Sequence, residues 1–466
     1  MRQRFFSTVC VALSVTCLLA ARSSAAAERP NILFIFADDW GWGDLGCHGH
    51  PYVRTPNIDR LAEQGTDFHR FTVASGVCSP SRTAVMTGHF PARYSINGHF
   101  AWVPSNAKRN MPDWLDTEAP SLPRLLKESG YATAHFGKWH LSNNMIPDSP
   151  LPIVYGYDEY GAFNCAGEQM PVHDDAARTI AFVEKSVASK KPFFVNLWIH
   201  EPHTPFHVVP KYQQRFAGLL EADGIYAAVL AHADERIGEV LAALDRLGVA
   251  DNTLVIFSSD NGPARAVGEK AVGLMYDTAT GAGFDVGAAK GVTGGRKGYK
   301  AALYEGGIGV PFIVRWPGVV KAGAEDEVSL ISAVDLLPTF CEAAAVELPD
   351  DYRPDGVSQL SVLKGEPAPN RSKPLFWKTS GSQPASRNRP YHWVDYVVVA
   401  GNWKMLLNED ASRVELYDLP SDPLEQLDLS EAKPEVLAGL QKKLEAWKST
   451  LPSGPSERCF SSERKE

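Results

Sequence analysis

Cysteine is scarce in this chain, and what there is follows no zinc-binding pattern. The sequence has 7 cysteines among 466 residues, and they do not form the closely spaced pairs typical of structural zinc sites. Cys10 and Cys17 lie in an apolar stretch at the N-terminus. The other five are an odd number, so at least one thiol has no disulfide partner within the chain, and an exported protein often keeps such a thiol for chemistry.

Cys78 is the candidate for that thiol, because a proline and an arginine follow it closely at the start of a predicted helix. The remaining four cysteines leave several arrangements open, namely two disulfides, by any of three pairings, or none. These four are Cys47, Cys165, Cys341 and Cys459.

Positive charge is in deficit, and long apolar segments are missing from most of the chain. The sequence carries 46 lysines and arginines against 55 aspartates and glutamates, a formal net charge of -9. An acidic chain is a poor nucleic-acid binder, so we expect no nucleic-acid partner, and an anionic substrate must be held by a few cations in one pocket.

Beyond the N-terminal stretch no segment has the length and hydrophobicity of a membrane span, so we expect no stable membrane insertion.

The N-terminus has the three parts of a secretory signal. Arg2 and Arg4 form its basic end, residues 5–20 form its apolar stretch, and three alanines before Glu28 form a small-residue cleavage region. Cleavage there would make residues 1–27 a signal peptide and export the mature protein to a periplasm or to the cell exterior. An uncleaved membrane anchor is the alternative.

Apolar strands alternate with helices through most of the chain. Short continuous apolar runs predict strands buried on both faces, and residues such as Leu230, Ile237 and Leu244 recur at helical spacing. This alternation predicts an α/β fold with a mostly parallel sheet flanked by helices. The predicted strands are residues 30–37, 131–136, 192–199, 253–259 and 310–316, and the predicted helices are residues 56–62, 81–87, 121–129, 174–190, 225–247 and 332–344.

The character of the sequence changes after Pro349. Short alternating strands separated by turns predict a smaller antiparallel sheet, and a terminal helix is predicted over residues 434–448. We therefore divide the mature chain into a catalytic domain over residues 28–365 and a smaller C-terminal subdomain over residues 366–466.

Four of the predicted strands end in ionisable or polar side chains that are suited to catalysis or ligand binding. Ligands bind at the carboxyl ends of the strands of a parallel sheet, so we expect these side chains to meet at one edge. Adjacent acids at the end of a buried strand are costly to bury unless something pairs with them, and a divalent cation is the simplest partner. The side chains are Asp38 and Asp39, Lys138 and His140, His200 and His203, and Asp260 and Asn261.

Cys78 is predicted to join this edge immediately before the start of a helix. Pro80 fits the first turn, and Ser79 or Ser81 is positioned to cap free N–H groups there. The positive end of the helix dipole makes this a natural site for sulfate or phosphate. Arg82 lies one turn further on, on the same face as Cys78, and adds a fixed cation. Together with the acids and histidines, this arrangement fits the hydrolysis of a sulfate or phosphate ester.

These segments together resemble the signature of the type I sulfatases, which are formylglycine-dependent, arylsulfatase-like enzymes. The resemblance runs from about residue 29 to the C-terminal helix. It implies an alkaline-phosphatase-like α/β fold with a smaller C-terminal sheet, and a sulfuric ester hydrolase that acts on a sulfated small molecule or glycan. The motifs are Cys78-Ser79-Pro80-Ser81-Arg82 with Thr87-Gly88, Gly137-Lys138-Trp139-His140, Asp260-Asn261-Gly262, and Lys300 upstream of Tyr304-Glu305-Gly306-Gly307.

The resemblance also implies a role for each site residue. Cys78 would be oxidised after synthesis to formylglycine, which makes a formylglycine-generating maturation enzyme a partner. One calcium ion, with magnesium as a possibility, would be bound by Asp38, Asp39, modified Cys78, Asp260 and Asn261. The implied catalytic residues are Cys78, Arg82, Lys138, His140, His203 and Lys300, and the implied substrate-binding residues are Lys138, His200, His203 and Lys300.

The implied reaction begins with hydration of the aldehyde on residue 78. One hydroxyl, deprotonated with help from Asp260, attacks sulfur, and His203 or Lys300 protonates the departing alcohol. His140 then removes the proton from the second hydroxyl, which expels sulfate and restores the aldehyde. An unmodified thiol cannot perform this last step.

Two other functions remain open. A phosphodiester or phosphonate monoester hydrolase of the same superfamily would use a similar site, and a non-catalytic carbohydrate-binding relative would bind without turnover. A sulfated carbohydrate is the preferred substrate class, partly because the chain is predicted to be exported. For His200 and His207, shaping the pocket is as plausible a role as contact with the substrate.

Three predicted loops, over residues 97–118, 141–171 and 263–298, are expected to select the alcohol that carries the sulfate, because long ordered loops are often functional. Aromatic side chains in the first two could stack on a sugar ring. These are Trp102, Trp114, Tyr155, Tyr157 and Tyr160.

Overall fold

The computed structural model describes residues 29–264, 276–283, 291–367, 371–380 and 389–464. The signal peptide predicted over residues 1–27 lies outside the described residues, as do two parts of the loop predicted over residues 263–298. Within the described ranges, no helix combines the length and the hydrophobicity needed to cross a bilayer.

In the part of the chain that the structure describes, the strands form one large sheet and three small ones. They are β1 (Asn31–Ala37), β2 (Thr66–Phe68), β3 (Phe71–Thr72), β4 (Ala132–Lys138), β5 (Glu159–Phe163), β6 (Phe193–Trp198), β7 (Thr253–Ser259), β8 (Tyr276–Asp277), β9 (Gly281–Ala282), β10 (Phe312–Arg315), β11 (Ala324–Asp326), β12 (Ile331–Ser332), β13 (Leu375–Lys378), β14 (Tyr396–Ala400), β15 (Trp403–Leu407) and β16 (Val414–Asp418).

The large sheet has the strand order β11-β2-β10-β7-β1-β6-β4-β5. Its centre is parallel, since β1 pairs in parallel with β6 and β7, and β4 does so with β5 and β6. On one side β10 runs antiparallel to both β7 and β2. The predicted mostly parallel sheet is therefore confirmed.

Strand β1 shows why the central runs are continuously apolar. Ile32, Phe34 and Phe36 point into one hydrophobic core, while Leu33 and Ile35 point into another. Successive side chains of a strand alternate between faces, so burial on both faces requires apolar residues at every position. The sheet is thus the middle layer of the molecule.

Helices cover both faces of this sheet. They are α1 (Pro56–Glu63), α2 (Cys78–Thr87), α3 (Val103–Lys108), α4 (Leu122–Glu128), α5 (Asp175–Ala188), α6 (Pro210–Gln213), α7 (Glu221–Arg246), α8 (Glu305–Ile308), α9 (Leu336–Ala343), α10 (Leu360–Leu363) and α11 (Pro434–Lys448). Helices α2 and α9 contribute to the core that contains Phe34, and α1, α5 and α7 contribute to the core that contains Ile35.

The predicted smaller C-terminal sheet is also confirmed. Strands β13 to β16 pair antiparallel in chain order. Leu440, Leu444 and Trp447 of α11 share one hydrophobic core with this sheet and with one face of the large sheet. A hydrogen bond from Trp377 Nε1 on β13 to the carbonyl of Val73, at 2.8 Å, joins the C-terminal sheet to the segment that follows β3. The two parts of the chain therefore bury a continuous core.

Two local predictions were wrong. The loop predicted over residues 141–171 contains β5, which has no continuous apolar run because it lies at the edge of the sheet with its first residues half-buried. The helix predicted to begin after Cys78 begins at Cys78 itself, because Val77 is the last extended residue. Of the arrangements left open for the cysteines, the structure has none bonded: all five described cysteines are free.

Candidate active site

Four neighbouring strands bring the predicted side chains to one edge. β7, β1, β6 and β4 lie side by side in parallel, so the residues that follow their carboxyl ends emerge together. Asp38, Asp39, Lys138, His140, His200, Asp260 and Asn261 are buried there, and His203 is half-buried.

Cys78 reaches the same edge from the first position of α2. Its Sγ lies 3.5 Å from Lys138 Nζ. Burial raises the pKa of the Cys78 thiol to about 12, against the opposing charge of Lys138. The thiol is therefore protonated at neutral pH, and a protonated thiol is a poor nucleophile.

The two serines that flank Pro80 do not cap the helix. Ser79 Oγ accepts a hydrogen bond from the N–H of Phe100, and Ser81 Oγ donates one to the carbonyl of Ser75. The capping prediction was wrong because both hydroxyl groups bind neighbouring segments instead. They fasten the start of α2, and with it Cys78, to the surrounding backbone.

Arg82 is fully buried and held in one position. Its Nε and Nη2 donate to Asp260 Oδ2 at 3.0 and 2.6 Å, and its Nη1 donates to the carbonyl of Lys138 at 3.1 Å. The guanidinium also lies over the ring of Trp198, 5.0 Å from its centroid. Burial and the negative charge of Asp38 raise the pKa of Asp260 to about 6. Arg82 thus ties α2 to the ends of β7 and β4.

Asp38 pairs with Lys138 through one carboxylate oxygen and leaves the other free. Lys138 Nζ lies 2.5 Å from Asp38 Oδ2, whereas Oδ1 is buried and has no hydrogen-bond partner among the described residues. Burial opposes the ionisation of Asp38, but the nearby cations, Lys138 and Arg82 among them, hold its pKa well below its usual range. A charged carboxylate oxygen is therefore buried in the site without a hydrogen bond from any described residue, and the cationic Arg82 Nη2 lies 3.9 Å from it.

Asp39 is contacted from three sides. Lys300 Nζ donates to its Oδ2 at 2.7 Å, Asn261 Nδ2 donates to its Oδ1 at 2.7 Å, and its own N–H donates to Asp260 Oδ1 at 3.2 Å. Its φ of 67° lies in the left-handed region, which aspartate tolerates better than most residues. The turn after β1 thereby places two consecutive acids, Asp38 and Asp39, at the same site.

The donor set fits a hard divalent cation. Asp38 Oδ1 and Asn261 Oδ1 are buried polar atoms that lack a hydrogen-bond partner among the described residues, and such atoms normally have one. One ligand atom each from Asp38, Asp39, Cys78 and His203 lie within 4.8 Å of one another. Carboxylate and amide oxygens are the ligands that calcium and magnesium prefer.

His140 has one ring nitrogen available for proton transfer. Its Nε2 lies 2.9 Å from the carbonyl of Phe100, which can only accept, so the ring proton is assigned to Nε2. Its Nδ1 is buried and has no hydrogen-bond partner among the described residues. Burial, reinforced by the charge of Lys138, holds the pKa of His140 well below its usual value. His140 is thus a neutral imidazole with a free acceptor nitrogen.

His203 faces the acids from the end of β6. Its Nδ1 contacts the carbonyl of Thr204, and its Nε2 lies 3.8 Å from Asp39 Oδ2. Burial lowers the pKa of His203 to about 3.

The other two histidines of this segment make structural contacts. His200 Nε2 lies 2.8 Å from the carbonyl of Pro205, and His207 Nδ1 lies 3.2 Å from Thr280 Oγ1. These contacts favour a role in shaping the pocket, although Nδ1 of His200 and Nε2 of His207 have no partner among the described residues.

Asp44, which sequence reasoning missed, holds the segment that leads to Lys300. It accepts hydrogen bonds from the N–H of Val292 at 2.7 Å and from the Tyr226 hydroxyl at 2.9 Å. The backbone segments that contain Gly43 and Gly294 approach so closely that a Cβ on Gly43 would lie 2.6 Å from the nitrogen of Gly294. The glycine-rich run after Asp39 was the available signal, because only glycine permits such an approach.

His99 is the second residue near the site that sequence reasoning missed. Its ring centroid lies 6.3 Å from that of His140. Desolvation by the surrounding protein atoms, with the positive charges of Arg109, Lys300 and Lys138, lowers the pKa of His99 to about 4, although the side chain is exposed. No strand end precedes it, so nothing in its local sequence marked it.

Most of the aromatic residues proposed for sugar stacking are not available. Tyr155, Tyr157 and Trp114 are buried, so the prediction that they stack on a sugar ring was wrong. They pack in hydrophobic cores because each ring removes a large apolar area from water. Trp102 is 55% exposed and Tyr160 is half-buried, so these two keep the predicted role.

Comparison with known proteins identifies the family. The sulfatase family model matches residues 30–346, and the model of the C-terminal region of N-sulphoglucosamine sulphohydrolase matches residues 296–450. The first match covers more than half of the chain. The chain therefore belongs to the sulfatase family and is a sulfuric ester hydrolase.

Individual relatives agree with this assignment. The chain is 32% identical over 380 residues to N-acetylgalactosamine-6-sulfatase of Homo sapiens, which covers 73% of this chain and 67% of that protein. It is 28% identical over 516 residues to N-acetylgalactosamine-6-O-sulfatase of Bacteroides thetaiotaomicron, which covers 91% and 94%.

Solved structures share the fold. Ps i-CgsB in complex with k-i-k-neocarrahexaose matches with a TM-score of 0.74 at 27% identity, over 94% of this chain and 96% of that one. A phosphonate monoester hydrolase of Agrobacterium radiobacter shares the fold at 20% identity with a TM-score of 0.59, over 90% and 96% of the two chains. The predicted alkaline-phosphatase-like fold is thus confirmed.

Proposed function

We propose that this sulfatase removes sulfate from a sulfated carbohydrate, with residue 78 converted to formylglycine and one calcium ion at the strand edge. The observation that carries the proposal is the position of Cys78 beside the buried cation of Lys138, next to buried oxygens of Asp38 and Asn261 that lack a partner among the described residues. Relatives named as N-acetylgalactosamine-6-sulfatases support the carbohydrate substrate.

The thiol of Cys78 is a poor nucleophile, and its conversion to formylglycine would replace it with a better one. The unmodified thiol is buried and protonated. Formylglycine at this position supplies a hydrated aldehyde, one hydroxyl of which attacks sulfur. The Cys78-Ser79-Pro80-Ser81-Arg82 segment is then the site at which a maturation enzyme acts.

The cation site comprises Asp38, Asp39, Asp260 and Asn261, together with residue 78. A calcium ion there supplies charge stabilisation to the developing negative charge of the reaction. Asn261 Nδ2 and Lys300 Nζ hold Asp39 in place, and Arg82 holds Asp260, so the carboxylates are oriented before an ion enters.

Lysine and histidine side chains of the site stabilise charge and transfer protons during the reaction. Lys138 lies against residue 78 and stabilises negative charge there. His140 Nδ1 accepts a proton during release of sulfate, since it is the free nitrogen of a neutral ring. Lys300 or His203, both partly exposed at the mouth of the site, is the proton donor to the departing alcohol. Lys300 is the stronger candidate, because burial lowers the pKa of His203 and a neutral ring with Nδ1 against a carbonyl carries no proton on Nε2.

Export and domain division complete the proposal. Residues 1–27 would direct the chain to a periplasm or to the cell exterior, where sulfated glycans occur. Residues 28–365 would form the catalytic domain and residues 366–466 the smaller subdomain. The net charge of -9 supports the absence of a nucleic-acid partner.

The test is expression of the chain with a maturation enzyme. The tryptic peptide that contains residue 78 should be lighter by the difference between cysteine and its aldehyde, and turnover of 4-nitrophenyl sulfate should scale with the converted fraction. A panel of sulfated glycans should show desulfation, and the matched phosphate and phosphonate esters should be poorer substrates.

Two variants make this test specific. Cys78→Ala should fold but lose activity by about 10³-fold or more. Cys78→Ser should stall as a sulfated enzyme, because an ordinary alcohol lacks the second hydroxyl that expels sulfate. Full multiple turnover by the serine variant, or by unconverted Cys78, would contradict the formylglycine mechanism, and preferred turnover of the phosphonate would contradict the sulfatase assignment.

A further inference from the structure

Arg109 is a cation near the site that has no acidic partner among the residues that the structure describes. It follows α3 within the segment 97–118 and forms no ion pair with any described residue. Its Nε donates to the carbonyl of Ser105 at 3.1 Å, and its Nη2 donates to Asn106 Oδ1 at 3.0 Å. These two neutral acceptors leave Nη1 without a hydrogen bond to any described residue.

Neighbouring residues hold the guanidinium of Arg109 in place. Asn106 is fully buried, and its Nδ2 donates to Asp113 Oδ1 at 3.0 Å, so the acceptor of Arg109 is itself fixed. On the other side Gly98 leaves room, since a Cβ there would lie 2.9 Å from Arg109 Nη1. The positive charge is therefore oriented before any ligand binds.

His99 connects this cation with the catalytic residues. Its ring lies 6.3 Å from that of His140, measured between centroids. His99 is exposed. It directly follows Gly98, which lies against Arg109 Nη1, so the two contacts place Arg109 near the catalytic residues.

The charges within the catalytic residues are already matched. Arg82 is paired with Asp260, Lys138 with Asp38, and Lys300 with Asp39. Arg109 is the additional cation, and its charge is only partly exposed. A partly buried charge without a counter-ion is unfavourable unless a ligand supplies one.

We propose that Arg109, with His99 beside it, binds a second anionic group of the substrate, a sulfate or a carboxylate carried by the same saccharide as the scissile sulfate. The inference rests on the proposed function and makes its substrate class a polyanionic glycan. Guanidinium groups suit this role because their planar N–H donors match the oxygens of both anions.

The test compares substrates that differ by one anion. N-acetylgalactosamine 6-sulfate is compared with its 4,6-disulfate, and with a disaccharide in which a uronate adjoins the 6-sulfated sugar. In the mature enzyme kcat/KM should be higher for at least one of the doubly anionic substrates. Arg109→Gln should lower the ratio of doubly to singly anionic kcat/KM by about 10- to 100-fold, as expected for loss of a hydrogen bond to a charged group.

Two further variants and a binding measurement distinguish the loss of anion binding from misfolding. Gly98→Ala keeps the charge but displaces the guanidinium, and should lower the same ratio. Arg246→Gln, at a surface ion pair with Glu184, is the matched control and should leave the ratio unchanged. Calorimetry with Cys78→Ala should show the same preference in binding, independently of turnover.

The outcomes separate the two proposals. Equal kcat/KM for all three sugars in the parent enzyme, or an unchanged ratio in Arg109→Gln, would overturn the role of Arg109 while leaving the sulfatase mechanism intact. Absence of any sulfate release by the parent enzyme would overturn the proposed function. In that case the calorimetric preference of Cys78→Ala still decides whether Arg109 binds a second anion.

Discussion

At the level of single residues, two side chains are placed to protonate the departing alcohol. Lys300 Nζ donates to Asp39 Oδ2 at 2.7 Å, and His203 Nε2 lies 3.8 Å from the same oxygen. His203 Nδ1 is engaged with the carbonyl of Thr204, so only its Nε2 can face a substrate. This nitrogen can donate a proton only from the imidazolium form, which burial disfavours because it lowers the pKa of His203 to about 3. Both residues therefore have access to the departing alcohol, and Lys300 is the favoured donor.

Leaving-group dependence separates the two candidates. Lys300→Ala should lower turnover of a sugar sulfate by about 10²–10³-fold, as for removal of one oxyanion donor. If Lys300 is the proton donor, the loss on 4-nitrophenyl sulfate should be much smaller, because nitrophenolate leaves without a proton. The same pair of substrates is measured with His203→Ala, and with Lys185→Ala as a surface control. Equal losses on both substrates in Lys300→Ala would make Lys300 a sulfate-binding residue only.

The sequence indicates the position of residues at strand ends better than the position of residues elsewhere. Asp38 and Asp260 lie at the same sheet edge as expected, because each follows a buried apolar strand, and their roles stay predictions. His99 and Arg109 follow no such strand and approach the site only through the folding of the loop at 97–118. Their proximity is a long-range property that no local pattern contains.

At the level of elements, the hairpin of β8 and β9 is attached to the histidine-bearing segment through His173. His173 Nε2 lies 2.8 Å from Glu201 Oε1, and its Nδ1 lies 3.1 Å from Asp277 Oδ1 on β8. Two acids at the two ring nitrogens favour the imidazolium form. Burial and the charge of Arg236 oppose that form, but Asp277 and Glu201 outweigh them and raise the pKa of His173.

This contact predicts a pH-dependent attachment of the hairpin. A group whose pKa is raised on folding stabilises the folded state fully below its unfolded pKa, near 6.5, and loses that contribution as the pH rises through the folded value. Hydrogen exchange of residues 276–283 should therefore quicken as the pH rises above 6.5, after correction for intrinsic exchange. His173→Gln should remove the dependence.

The neighbouring titratable groups do not change the sign of this prediction. The rings of His232 and His207 lie 4.4 and 5.9 Å from that of His173 between centroids, and burial lowers their pKa values to about 2 and about 4. Both are neutral throughout the range. Protection of the hairpin that is constant with pH, or that increases with it, would rule out the charged form of His173.

Element boundaries were predicted best where the sequence pattern is unambiguous. β7 and α11 have the predicted bounds, Thr253–Ser259 and Pro434–Lys448, because the first is a continuous apolar run and the second begins with a proline. β5 was missed because an edge strand needs no continuous apolar run. The start of α2 was misplaced because its first turn is held by contacts from outside the helix.

At the level of the whole molecule, a buried lysine joins the C-terminal sheet to the catalytic part. Lys404 on β15 is fully buried, and its Nζ lies 2.8 Å from both Glu305 Oε1 and Glu425 Oε1. Glu305 begins α8, shortly after Lys300, and its N–H donates to Glu425 Oε2 at 2.6 Å. Burial raises the pKa of Glu425 to about 7, so this carboxylate depends on Lys404 for its charged form.

Removal of Lys404 should destabilise both parts of the chain together. Lys404→Met leaves two carboxylates buried without their cation, which costs roughly 3–5 kcal/mol of unfolding free energy. Because the two sheets share one core, calorimetry should show a single transition at lower temperature rather than two. The triple variant with Glu305→Gln and Glu425→Gln should recover part of the loss, because the two carboxylate charges are removed together with the lysine. Recovery should be incomplete, because the neighbouring cation of Arg296 then loses the negative charge of Glu305. Lys185→Met, at an exposed ion pair, should cost less than about 1 kcal/mol. Separate melting of the C-terminal sheet in Lys404→Met would instead show that the shared core does not couple the two parts.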